Sequence, residues 1–108
     1  MATTYKVLGQ SAPAITTNTN LYTVPAATSA VCSTLVIANT GQATTYRVAI
    51  RPAGATLALQ HYIVYDSPIN QGDSVFLTLG ITLATTDVIT VYVANASVSF
   101  SLFGSEIA

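Results

Sequence analysis

Charge is what this sequence has least of. Three basic and four acidic side chains are 6% of its 108 residues, where an ordinary soluble domain carries about 25%. Lys6, Arg47 and Arg51 are the whole basic complement, too few to neutralise a track of phosphates, so no nucleic-acid partner is expected. Long apolar runs are missing too. None approaches the roughly 20 residues that span a bilayer, so no membrane partner is expected. The opening Met1-Ala2-Thr3-Thr4-Tyr5-Lys6 has no basic start followed by an apolar core, and no secretory leader is expected. Cys32 is the single cysteine, which rules out an intrachain disulfide. Set between Val31 and Ser33, it reads as a small buried hydrophobe. As a nucleophile it would need a neighbouring base, and His61 is the one histidine available.

Groups that announce a chemistry are also absent. A triad would have to use His61, with Asp66 or Asp73 as the orienting acid and a Ser or Thr as nucleophile, yet no nucleophile elbow accompanies them. His61 and Asp66 would fall on opposite faces of a regular strand. A structural zinc site wants four Cys or His ligands, and the chain has two. Calcium wants converging carboxylates, but Asp66, Asp73, Asp87 and Glu106 are spread over separate segments. The three aspartates sit beside turns, where Asp caps backbone groups. No glycine-rich phosphate loop is present. No catalytic, cofactor-binding or metal-ligating residue is assigned, and the chain reads as something other than an enzyme. His61-Tyr62-Ile63-Val64-Tyr65-Asp66 is the one aromatic cluster with polar handles. It could hold a sugar by ring stacking and a carboxylate, or Tyr62 and Tyr65 could be strand residues, one to each face. Asn95-Ala96-Ser97 matches a glycosylation sequon, and a hairpin loop explains it.

What is present is β-structure. Hydrophobic residues make up 51% of the chain, gathered in short β-branched and aliphatic runs bounded by Pro, Gly, Asn and Asp. Strands are expected over 5–10, 21–24, 31–38, 45–51, 60–65, 74–79, 87–94 and 97–103. Asn39-Thr40-Gly41 reads as the turn of a hairpin between the third and fourth. No stretch keeps a helical period with caps. About eight strands with turn signals every ten residues or so describe one all-β domain over 1–108. An antiparallel β-sandwich is expected, of jelly-roll or immunoglobulin-like type, without substantial helix.

Alternation assigns the faces. Val48, Ile50, Leu77, Leu79, Phe100 and Leu102 are expected in the core, with Ser97, Ser99 and Ser101 opposite. Val88 to Val93 is apolar on both faces, as in a strand covered twice or one that meets another subunit.

Several of these runs carry a resemblance: Leu21-Tyr22-Thr23-Val24-Pro25-Ala26, Val31-Cys32-Ser33-Thr34-Leu35-Val36-Ile37-Ala38-Asn39 and Tyr46-Arg47-Val48-Ala49-Ile50-Arg51-Pro52-Ala53-Gly54. So do His61 to Asp66, Leu77-Thr78-Leu79-Gly80-Ile81-Thr82-Leu83 and Asp87-Val88-Ile89-Thr90-Val91-Tyr92. From about Tyr5 to Glu106 the chain resembles small virion proteins of tailed bacteriophages, including phages of cyanobacteria. The shared features are strand and turn consensus. The resemblance implies a β-sandwich structural protein of a virion, made in the host cytoplasm. It would be a capsid decoration (cement) or neck/tail-associated protein whose partners are the major capsid or a neck/tail protein. A receptor- or glycan-binding module at a tail fibre or tail tip is the alternative.

A surface so poor in charge also predicts a homo-oligomer, such as a trimer, because little of it resists being covered. The Thr/Asn-rich stretch 12–20 and the C-terminal 103–108 are the expected contact segments.

Overall fold

The computed structural model describes residues 2–108; Met1, at the head of the run read for a leader, lies outside the described residues. Eight strands form where the sequence predicts them. They are β1 (Thr3–Ser11), β2 (Thr19–Thr23), β3 (Ser29–Asn39), β4 (Thr44–Arg51), β5 (Tyr62–Ile69), β6 (Ser74–Leu83), β7 (Val88–Val93) and β8 (Val98–Ile107). Two single 3-10 turns, Pro52–Gly54 and Leu59–His61, are the helical content among the described residues.

Two antiparallel four-stranded sheets result, ordered β1-β8-β3-β6 and β2-β7-β4-β5. This is the strand order of a jelly roll, not of an immunoglobulin domain. Only the β4–β5 connection joins neighbours in one sheet; the other six change sheets. Two sequence expectations are corrected by that. The Asn39-Thr40-Gly41 turn does not close a hairpin, since β3 pairs with β6 and β8 while β4 pairs with β5 and β7. The Asn95-Ala96 link between β7 and β8 likewise crosses from one sheet to the other. A turn signal reports that the chain bends, not which strand it meets afterwards.

Asn39 shows what the bend is for. Its side chain is buried, and its Oδ1 accepts the Gly41 N–H (3.0 Å) and the Ser97 hydroxyl (2.7 Å). Its Nδ2 donates to the carbonyls of Gln42 (2.8 Å), Asn70 (3.2 Å) and Ile69 (3.4 Å). One amide therefore ties together the three crossings β3–β4, β5–β6 and β7–β8 at one end of the sandwich.

The core lies between the sheets. Leu35, Ile37, Phe100 and Leu102 from one meet Tyr46, Val48, Ile89, Val91 and Val93 from the other. The Tyr46 and Phe100 rings touch edge to face across the gap, with centroids 6.2 Å apart. Val48, Phe100 and Leu102 are buried as alternation requires. Ile50, Leu77 and Leu79 face the core but are only partly covered. For the two leucines the reason is position: β6 is an edge strand.

β7 is buried on both faces by its own chain. Ile89, Val91 and Val93 point inward, while Val88 and Thr90 lie beneath covering segments. The Pro52–Gly54 turn rests on β7, with the Ala53 N–H donating to Asp87 Oδ1 at 2.9 Å. Thr90 donates to Asn20 Oδ1 at 3.2 Å. The doubly apolar pattern thus needs no second subunit to explain it. The expected contact segments are similarly engaged. Residues 103–107 run inside β8, flanked by β1 and β3, and Thr16 donates its N–H to the Val93 carbonyl on β7 of its own chain.

At the margin where β1 meets β2, a Cβ on Gly9 would collide with the Leu21 carbonyl. The absent side chain lets the two edges close on each other. β6 and β5 form the opposite margin.

Candidate functional site

Alternation along β4 sends Arg47 to the outer face, opposite Tyr92 on β7. β5 beside it is irregular, with one extra residue at Ile63 and a second between Val64 and Ser67. The first bulge reverses the alternation. Tyr62 and Tyr65, three positions apart, therefore emerge on the same face rather than one to each face as the sequence suggested. Their rings meet edge to face at 4.9 Å. At the second bulge Asp66 adopts a positive φ of 51°, and its carboxylate meets Arg47: Nε to Oδ1 at 2.6 Å, Nη2 to Oδ2 at 3.3 Å. Arg47 also sits 4.3 Å from the ring centroids of both Tyr65 and Tyr92. The bonded guanidinium holds the Asp66 carboxyl below its usual range.

Tyr62, Tyr65, Asp66, Arg47 and Tyr92 are thus one cluster on the outer face of the β2-β7-β4-β5 sheet. It offers aromatic surface beside a charge-paired donor set, the kind of surface that stacks on and hydrogen-bonds a polar ring. Arg47 already covers part of Tyr65 and Tyr92, so a ligand would use the remaining ring surface. The sequence reading found the β5 half of this cluster. It missed Arg47 and Tyr92, which join it through strand pairing that local sequence does not encode.

The other candidate residues stay apart. His61 Nδ1 accepts the Ala58 N–H at 3.0 Å, and Asp66 is taken by Arg47, so the two form no acid–base pair. Asp73 Oδ1 accepts the Ser74 N–H at 2.9 Å. Asp87 accepts from Ala53 and from Ala84, the latter at 2.8 Å. These two cap turns as expected, whereas Asp66 does not. Cys32 is buried in the core, and burial pushes its thiol up to about 11. Among the described residues no three potential ligands gather for a metal.

A second polar group ties the sheets together near the chain's end. Tyr22 on β2 donates its hydroxyl to Glu106 on β8, and Lys6 on β1 pairs with the same carboxylate at 3.0 Å. The Tyr22 hydroxyl and Lys6 hold the Glu106 carboxyl below its usual range. Burial, then the bond to Glu106, pushes the Tyr22 phenol up. A carboxylate with a depressed folded value stabilises above its unfolded value of about 4.3 and loses that contribution as pH falls through the folded value. The phenol acts in the opposite sense: its contribution is complete below about 10 and is lost as pH rises through its folded value. Stability should therefore be flat between about pH 5 and 10 as far as this pair is concerned. Glu106→Gln should reduce the acid-side fall, measured as chemical-denaturation midpoints against pH. An unchanged acid limb would remove Glu106 as its source.

On the other sheet, Tyr5, Val7, Val31, Ser33, Phe103 and Ser105 help to line an open depression of about 640 Å³. A bulge in β3 at Ser33 shapes it, with the Ser33 hydroxyl donating to the Phe103 carbonyl at 3.1 Å.

No family model, curated protein or solved structure matches this chain.

Proposed function

We propose that this chain is a non-enzymatic structural protein of a tailed-phage virion, a capsid decoration or neck/tail-associated protein that works through subunit contacts. One observation carries the reading: large apolar side chains stand on the outside of a nearly uncharged sandwich. Tyr5 is 83% exposed, Leu59 82% and Phe76 69%. Four of the seven charged side chains are already tied up in the Lys6–Glu106 and Arg47–Asp66 pairs. Docking on another protein would thus desolvate few free charges. The strand and turn resemblance to small virion proteins supports the same reading. Partners are then further copies of the chain and a capsid, neck or tail protein, and the place of action is the particle.

A second reading has its own observation. The Tyr62–Tyr65–Arg47–Tyr92 cluster suits a receptor- or glycan-binding module at a fibre or tail tip. Antibody labelling of intact particles of the phage that encodes the chain, viewed by electron microscopy, tests the first reading. Label is expected at the head, neck or tail, and particles without label would overturn it. A glycan array separates the two, since a cement protein should bind no sugar.

A further inference from the structure

The four sheet edges are not equally guarded. β1 carries Lys6 and a bulge at Leu8, and it closes against β2. β2 is five residues long with a bulge at Leu21. β5 has two bulges, the positive-φ Asp66 and Pro68. Each of these features opposes the addition of another strand. β6 differs. Its ten residues contain no charge and no proline. Its one irregularity lies at Leu79–Gly80, opposite Ser33, so Ser74–Thr78 pairs regularly with β3 on one side and has no partner strand on the other among the described residues. Phe76 stands outward from the middle of that run, while Val75 and Leu77 face the core without being fully covered.

We propose that a second copy of this chain adds antiparallel to β6 about a two-fold axis through Phe76, joining the two β1-β8-β3-β6 sheets into one of eight strands. This rests on the reading that the chain works through contacts between its own copies. The free N–H and C=O groups of an edge call for another strand. The apolar Val75, Phe76 and Leu77 call for an uncharged one, and β6 itself meets both demands. In this register Ser74 lies opposite Thr78 of the second copy, Val75 opposite its Leu77, and Phe76 opposite its Phe76. Inward residues then meet inward residues, which an antiparallel pair requires if both cores are to stay covered. The two Phe76 rings form a cross-strand aromatic pair on the outer face. A net charge of −1 per chain gives the copies little to repel. The contact is isologous, so it closes as a dimer instead of growing.

Sedimentation velocity of the full chain across the micromolar range tests this. A concentration-dependent dimer is expected, and Phe76→Lys, which sets two like charges face to face, should weaken it by roughly tenfold or more. Circular dichroism establishes that the variant folds; if it does not, Thr78→Lys, exposed on the same face, takes its place. Oxidation of Phe76→Cys should give a covalent dimer. Thr82→Cys, away from the axis, and the wild type with its buried Cys32 should not. A trimer, or a dimer indifferent to Phe76→Lys, would overturn this edge and leave assembly standing by another surface. A wild type that stays monomeric and a Phe76→Cys that does not cross-link would overturn it too. Particle labelling then decides the functional reading separately.

Discussion

Asn39→Ala is expected to destabilise the sandwich by roughly 3–5 kcal/mol, because each buried group left without its partner costs about 1–3. The side chain is 2% exposed and serves five backbone or hydroxyl groups from three sheet crossings. Water can reach some of these once the amide is gone, which is why the cost is less than five full losses. Urea denaturation should show a lower midpoint with little change of slope, since the surface exposed on unfolding barely alters. Asn39→Asp is the sharper probe. It keeps Oδ1 as acceptor for Gly41 and Ser97, loses the donor to Gln42, Asn70 and Ile69, and buries a charge near their carbonyls. It should be destabilised near neutral pH and partly recover in acid, where the protonated carboxyl can donate again. A midpoint unchanged in Asn39→Ala would mean that the three crossings are held by something else.

Phe100→Ala should cost a similar roughly 3–5 kcal/mol, through lost transfer energy and the cavity left behind. The ring is 1% exposed and meets Tyr46 of the opposite sheet, so its removal opens a void between the layers. Phe76→Ala is the matched control: the same residue type, exposed on an edge strand. In dilute solution it should change stability by about 0.5 kcal/mol or less, as surface substitutions do. If the two substitutions cost the same, the face assignment of β8 or of β6 is wrong.

Much of the fold was legible in the sequence because strand formation is largely a local matter. β-branched runs between Gly, Pro, Asn and Asp placed all eight strands, and period-two alternation put Val48, Phe100 and Leu102 inside and Ser99 and Ser101 on the other side. Strand ends were less legible. β6 runs on to Leu83 and β8 to Ile107, since pairing with a neighbour carries a strand past a weak breaker such as Gly80 or Gly104. The candidate site was half legible: the aromatic run on β5 was visible, but its use of one face was not. A single extra residue at Ile63 turned Tyr62 and Tyr65 to the same side.

Composition by itself determined that the chain is nearly neutral and has too few cysteines and histidines for an intrachain disulfide or a four-ligand zinc site, because charge, cysteine and histidine are counted along the chain wherever it goes. Only the tertiary structure decided which strands are neighbours. Asn39-Thr40-Gly41 bends the chain in a hairpin and in a sheet crossing alike, and the choice fell to distant groups, the carbonyls of Ile69 and Asn70 and the hydroxyl of Ser97, that meet the Asn39 amide after folding. The same holds for Arg47, an isolated cation in sequence, which strand pairing sets between Tyr65 and Tyr92. It holds as well for Val88–Val93, whose second apolar face is covered by the Pro52–Gly54 turn of its own chain. In each case the deciding contact joins residues far apart along the chain, and local pattern carries no record of it.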